Sequence, residues 1–334
     1  MKKLVSVLLL LALCACCALA QAAYPERPIT MIIPYGAGGT TDVYGRTLAS
    51  LLEKELGQSI TCVNQSGASG SIGSQFVKDS DSDGYTVLVC AETMGTYRTM
   101  GVSELGYDDF TVISPLVGDP KIIVVGKDSP YNTMDELLAA IKENPGKLTM
   151  SHSGPGGSGH NQGLVLGEFG YDVAMISFNS GNEALLGVIG NQVDFTNPNI
   201  STLSSYIASG DVKPLAVFSN TRLEAFPDIP AFTEFLPEAE NYVNIPYTVL
   251  SFCVNNDTPD DIVAALKEAT AKALASAEWQ EFVTKNAADK IFEMYTTDEE
   301  IKGFYDHWQS VVTWMQYDAG VAPISPEEFG IARP

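Results

Sequence analysis

The chain of 334 residues predicts an α/β fold of two lobes, each a doubly wound, mainly parallel sheet, with a cleft between them. Three observations carry this expectation. Apolar, β-branched runs alternate with amphipathic helical stretches, the signature of parallel sheets. The unit strand, glycine-rich turn, helix occurs twice, and Gly36-Ala37-Gly38-Gly39-Thr40 resembles Gly154-Pro155-Gly156-Gly157-Ser158. The length exceeds one average domain, and 45% hydrophobic with 18% charged residues is ample for packed cores and unlike a disordered chain.

Ile29–Ile33 reads as a buried strand cut off by Pro34. Gly36, Gly38 and Gly39 form the turn, and Thr40, Thr41 and Asp42 are good N-cap residues. Val43, Leu48, Leu51, Leu52 and Leu56 share one helical face, ended by Gly57. Ser59–Val63 is the next strand; 64–73 is a small-residue loop entering a helix over Ser71–Lys78; Tyr85–Cys90 is a third strand. Lys121–Val125 is a strand near the crossover, and Thr133 caps a helix over Met134–Asn144. The second lobe reads as strands at Lys147–Ser153, Val173–Ser177, Gln192–Phe195 and Pro214–Ser219. Between them fall helices at Asn161–Phe169, Asn182–Ile189 and Ser201–Ser209. Tyr247–Val254 is a strand of the first lobe again, followed by helices at Asp260–Ala275, Ala277–Lys285 and from Asp298 to Met315. The expected boundaries are 24–124 with 235–334 for the first lobe and 125–234 for the second.

Residues 1–23 read as a targeting segment, with Lys2 and Lys3 before an apolar core over Leu4–Leu13. Two fates remain open. Ala18-Leu19-Ala20 and Ala20-Gln21-Ala22 fit release, whereas Leu13-Cys14-Ala15-Cys16 resembles a lipobox that would put a lipid on Cys16. Either way the protein is exported, periplasmic or anchored outside the cytoplasmic membrane, and no later stretch is apolar enough to span a bilayer. Without Lys2 and Lys3 the chain carries 17 basic against 41 acidic residues, which excludes nucleic acid as a partner. A cluster of N–H dipoles still holds an anion inside an acidic protein. Beyond the leader, Cys62, Cys90 and Cys253 are an odd set that excludes a complete disulfide framework; they read as buried thiols, with a Cys62–Cys90 bridge as the alternative.

Each turn aims free backbone N–H groups and a helix N-terminus at one spot, which favours an anion without any Lys or Arg. Rival chemistries fare worse. Gly154 to Gly159 matches G-x-G-x-x-G, but the acidic residue a dinucleotide needs is replaced by Ser177, Phe178 and Asn179. Ser158 and His160 sit together, yet no nucleophile elbow or positioned acid accompanies them. A hydrolase is therefore the minor alternative, and no metal or cofactor is expected. Asp42 reads as a cap, Arg222 as a structural ion pair, and Asn179, Asn182, Asn197 and Asn199 as ligand contacts or turn formers.

Several motifs in order resemble the tripartite tricarboxylate transporter substrate-binding receptors, the TctC or Bug family. These are Tyr24-Pro25-Glu26-Arg27-Pro28-Ile29 leading into Pro34 to Asp42, then Asn64 to Gly73, Asp83-Gly84-Tyr85-Thr86, Asn144 to Leu148, Ser153 to His160, Gly190 to Asp194, and Arg222 with Phe226 to Pro230. The resemblance implies a type II periplasmic binding-protein fold and a non-enzymatic receptor, a monomer, for a small organic acid (a mono-, di- or tricarboxylate). It also implies delivery to membrane permease subunits, with service to a sensor kinase as the alternative. Carried over, Tyr35, Gly36, Ala37, Gly38, Gly39, Thr40, Thr41 and Asp42 line the cleft from one lobe. Ser153, Gly156, Gly157, Ser158 and His160 line it from the other, with Ser69, Ser71, Phe178, Asn179 and Gly181 as walls. The chain departs from the family at Ile176 to Ser180, where the basic residue many members carry is absent.

Overall fold

The computed structural model describes residues 24–243 and 248–334. The leader, with Cys16, and Tyr247 lie outside the described residues. In chain order the elements are β1 (Ile29–Ile33), α1 (Thr40–Leu56), β2 (Ile60–Asn64), α2 (Ser71–Asp79), β3 (Thr86–Ala91), β4 (Phe110–Asp119) and β5 (Ile122–Gly126). There follow α3 (Met134–Glu143), β6 (Thr149–His152), α4 (Ser158–Glu168), β7 (Ala174–Ser177), α5 (Gly181–Ile189), β8 (Phe195–Thr196), α6 (Ile200–Ser209) and β9 (Val212–Val217). The chain ends with α7 (Glu240–Val243), β10 (Thr248–Asn255), α8 (Asp260–Ala275), α9 (Ala277–Lys285), α10 (Ile291–Met294) and α11 (Asp298–Asp318).

Two five-stranded sheets result, in the orders β2-β1-β3-β10-β4 and β7-β6-β8-β5-β9. Each has a parallel half, and each has one strand running against its neighbours: β10 in the first sheet and β5 in the second. Those reversed strands are the first strands after each passage between lobes. In the first lobe, Met31, Val87 and Phe252 pack with Leu48, Leu52 and Trp279 on one sheet face, and Ile32, Leu88 and Cys253 pack with Val77 on the other. The second sheet is covered on both faces in the same way.

The first crossing is at Pro120-Lys121, between β4 and β5. The segment 235–243 packs Leu236, Ala239 and Val243 into the second core, so the return lies after Val243. Thr133 caps α3 as the sequence indicates, accepting the Glu136 amide at 3.3 Å, and the structure adds a capping box of Thr297 with Glu300 on α11.

Two elements and one cysteine contact differ from expectation for physical reasons. β4 was not legible because Pro115 interrupts it; at the edge of the sheet the missing amide is tolerated. β8 shrinks to two residues because Asn191 takes a positive φ of 54° and turns the chain before it. Cys90 faces Cys253 across β3 and β10, with sulfurs 3.8 Å apart, and Cys62, Cys90 and Cys253 are all free, so no Cys62–Cys90 bridge forms. No helix among the described residues is long and apolar enough to cross a membrane.

Candidate functional site

The two glycine turns adopt the same backbone. Gly38 and Gly156 sit at φ of 76° and 80°, the left-handed region that glycine reaches without strain. Gly39 and Gly157 are the N-caps of α1 and α4, at φ −78°, ψ 168° and φ −78°, ψ 167°. The turns face each other across the cleft, and the lobes are closed on one another. Ser69 Oγ donates to Pro155 O at 2.9 Å, Ser158 Oγ meets Thr248 Oγ1 at 2.7 Å, and Thr40 Oγ1 meets Thr202 Oγ1 at 3.2 Å. A Cβ on Gly156 would stand 2.4 Å from Thr96 Oγ1, so the closed contact has no room for a side chain there.

Two small cavities remain beside Tyr35. One, about 30 Å³, is lined by Gly39, Thr40, Thr41, Glu92, Thr93, Ser153, Ser158, Gly181, Asn199 and Thr248. The other, about 100 Å³, is lined by Gly67 to Gly70, Ser153 to Pro155 and Ser177 to Asn179. The buried Tyr35 hydroxyl, pushed well above its ordinary pKa by burial, donates to Ser69 O at 2.8 Å and meets Thr93 Oγ1 at 2.5 Å. A larger groove of about 670 Å³ lies elsewhere on the first lobe, between β4, α11 and the C-terminal segment, away from both turns.

The structure thus gathers Tyr35, Gly39, Thr40, Thr41, Ser69, Ser153, Ser158, Phe178, Asn179 and Gly181 around these cavities. Others among the expected residues point elsewhere. Gly36 and Gly38 abut Ser180 and Asn182 of the second lobe, and Ala37 and Ser71 line neither cavity. The Asp42 carboxylate is spent inside its own lobe, accepting from Gly38 N at 2.9 Å, Arg46 Nε at 2.8 Å and Asn64 Nδ2 at 2.8 Å. It is an internal brace of the first turn rather than a cap at the N-cap position, which is Gly39. Gly156 N donates to His160 Nδ1 at 3.1 Å, and Gly157 packs against Thr93.

His152 and His160 stack with centroids 4.9 Å apart, and burial holds both near pKa 4, so they are neutral at pH 7. The Ser158 hydroxyl meets Thr248 instead of His160, so the geometry does not pair this serine with that histidine as a base. Arg222 forms a two-pronged pair with Glu234 at 2.7 and 2.6 Å on the surface. Among the described residues no three His, Cys, Asp or Glu side chains are placed to hold a metal.

The sequence reading missed Glu92. It follows β3 directly, is 2% exposed, and its Oε1 accepts the Ser158 amide at 2.8 Å while Oε2 accepts Val249 N at 3.2 Å. The signal was its place at the carboxyl end of a buried strand, where open α/β sheets bind ligands. Glu92 therefore fills the anion position of the second turn, and the expectation that Ser158 N is open to a ligand does not hold in this closed form. By contrast, the amides of Gly39, Thr40 and Thr41 meet no acceptor among the described residues. Two further buried charges lie behind the cleft at the crossing. Lys121 Nζ donates to Asn199 Oδ1 at 2.8 Å and Asn197 O at 3.3 Å, its pKa lowered to about 8 by burial. Asp119 accepts from Ser201 Oγ, its pKa raised to about 7 by burial.

A family model described as the tripartite tricarboxylate transporter family receptor, TctC, matches residues 44–302. The chain belongs to this receptor family. The receptor is 30% identical to a UPF0065 protein of Bordetella pertussis over 269 residues, covering 80% of this chain and 82% of that one. The periplasmic binding protein BugD superposes with a TM-score of 0.82 at 26% identity, covering 90% of this chain and 99% of that one. MatC of Rhodopseudomonas palustris, solved with bound malate, shares the fold at 23% identity and a TM-score of 0.79, covering 87% of this chain and 99% of that one.

Proposed function

We propose that the receptor is an exported, non-enzymatic solute-binding protein that captures a small organic carboxylate in the interlobe cleft. Released or lipid-anchored at Cys16, it works outside the cytoplasmic membrane and hands its ligand to the permease subunits of a tripartite transporter. The observation that carries this reading is the first turn: Gly39, Thr40 and Thr41, with free amides at the N-terminus of a 17-residue helix, line a small cavity of the cleft. Carboxylate oxygens accept these N–H groups, Tyr35 and Ser69 wall the ligand, and the lobes shut by rotation about the two passages between them. The permease reads the shut form. No cofactor takes part.

Calorimetric titration of the purified protein with organic acids, amino acids and sugars tests this. The expected result is saturable binding of one or a few carboxylates. Binding of sugars or cationic solutes alone overturns the anion argument.

A further inference from the structure

Glu92 is a buried carboxyl group built into the ligand cleft, its pKa raised by burial, and it changes what the second lobe recognises. Its two oxygens each take a backbone amide, Ser158 N from the second lobe and Val249 N from β10 of its own lobe. It is 2% exposed and lines the same cavity as Thr40 and Thr41. The Ser158 amide is the N1 position of α4, the counterpart of Thr40 in the first turn. A ligand carboxylate is therefore matched by open donors at the first turn and by a position already occupied by a carboxyl group at the second. The nearest buried cation, Lys121, acts on Glu92 through its charge, but its Nζ donates to Asn199 Oδ1 and Asn197 O rather than to Glu92, so the Glu92 oxygens stay with the two amides. The second lobe's other contributions here are neutral: Ser153, Gly181, Asn199 and the Ser158 hydroxyl.

We infer that Glu92 is a specificity-determining residue that restricts the receptor to ligands with a single carboxylate and an uncharged far end, excluding dicarboxylates. The inference rests on the carboxylate reading above and narrows it to a ligand class. Glu92 acts in two ways. It occupies the amide a second ligand carboxylate would need, and in its ionised form it opposes a second anion beside it. It also ties the second turn to the first lobe, so closure itself depends on the position being filled by an acceptor.

The test uses matched pairs that differ by one carboxylate: butyrate against succinate, and lactate against malate. Each is titrated calorimetrically into the wild-type protein, Glu92→Gln and Glu92→Ser, with the folded state of each variant checked by circular dichroism. Gln keeps the shape and removes the charge; Ser removes both. The expected result is that the wild type binds the monocarboxylate of a pair at least tenfold more tightly than its dicarboxylate. Both variants narrow or reverse that ratio by tenfold or more. Wild-type protein that binds succinate or malate as tightly as its monocarboxylate partner overturns the role of Glu92 and leaves the carboxylate receptor standing. An unchanged ratio in both folded variants overturns it equally. If no carboxylate binds the wild type or either variant, the receptor reading falls, and this inference with it.

Discussion

The two glycine turns have nearly the same sequence and the same backbone angles, yet one is open and the other is filled. The first turn uses Asp42 internally, braced by Arg46 and Asn64, and leaves the amides at the start of α1 facing the cavity. In the second turn His160 takes the Gly156 amide and Glu92, from the opposite lobe, takes the Ser158 amide. Local sequence sets the shape of such a turn; what it binds is decided by which acceptor the rest of the fold brings to it. The buried position favours the protein's own carboxylate because an amide left unpaired away from water costs more than it does in an open cleft.

The comparison breaks most visibly at the turn glycines. Gly156→Ala adds a Cβ that would lie 2.4 Å from Thr96 Oγ1, at a φ of 80°. It should hold the lobes apart and weaken ligand binding a hundredfold or more. Gly38→Ala meets the flexible end of Asn182 at 3.2 Å and should cost about tenfold, mostly from the left-handed backbone. Titration calorimetry, with small-angle scattering for closure, compares the two. A larger loss from Gly38→Ala would reverse the assignment of which turn is the closing contact.

The amides can be removed singly. Proline is tolerated at the first helical position, and both preceding glycines already have the extended angles it requires. Thr40→Pro should weaken carboxylate binding roughly tenfold to a hundredfold, as expected for a lost bond to a charged acceptor of about 1.5–3 kcal/mol. Ser158→Pro should act through closure instead, because it removes the amide that ties the second turn to Glu92 and the hydroxyl that meets Thr248; small-angle scattering should show a more open molecule, which Thr40→Pro should not. Equal opening in the two variants would mean that the first turn also acts through closure.

Acid sharpens the contrast in another way. His152 and His160 belong to the second turn and titrate near 4 when folded, against an ordinary 6.5. The unfolded chain thus takes up protons first, and stability is lost as pH falls from about 6.5 to about 4. Each ring accounts for up to ~3 kcal/mol across that window. Asp119, raised to about 7, acts with the opposite sign, losing stability as pH rises. The difference between His160→Asn and the parent isolates the ring: denaturant midpoints measured from pH 7 to pH 4 should fall less steeply in the variant. The smallest effect is outside both turns. Arg222→Ala removes an exposed pair with Glu234 and should leave ligand affinity unchanged; a tenfold loss would return Arg222 to the candidate contacts.

The alternation of strands and helices, the cap at Thr133 and the paired turns were legible because each is a local pattern. The contacts that define the closed cleft were not. Glu92 reaches a partner 66 residues away, and nothing near it in the chain marks its oxygens as acceptors for Ser158 and Val249. Asp42 looked like a cap or a contact, and only the fold shows Arg46 and Asn64 claiming it. Cys90 met Cys253 because β10 inserts beside β3 after a long detour, a pairing that spacing cannot reveal.

The last long helix has a practical consequence. α11 packs Trp308 and Val312 in the first lobe, while Met315 touches the second core and Gln316 donates to Asn161 Oδ1 at 2.6 Å and to Gly156 O at 3.1 Å. Trp314, with Arg333 stacked 3.9 Å from its ring, stands one residue before the first of those contacts. All three tryptophans of the chain lie in the first lobe, and this one is beside the seam. The molecule therefore offers an optical test of its own, indole emission read with and without ligand, without any attached dye.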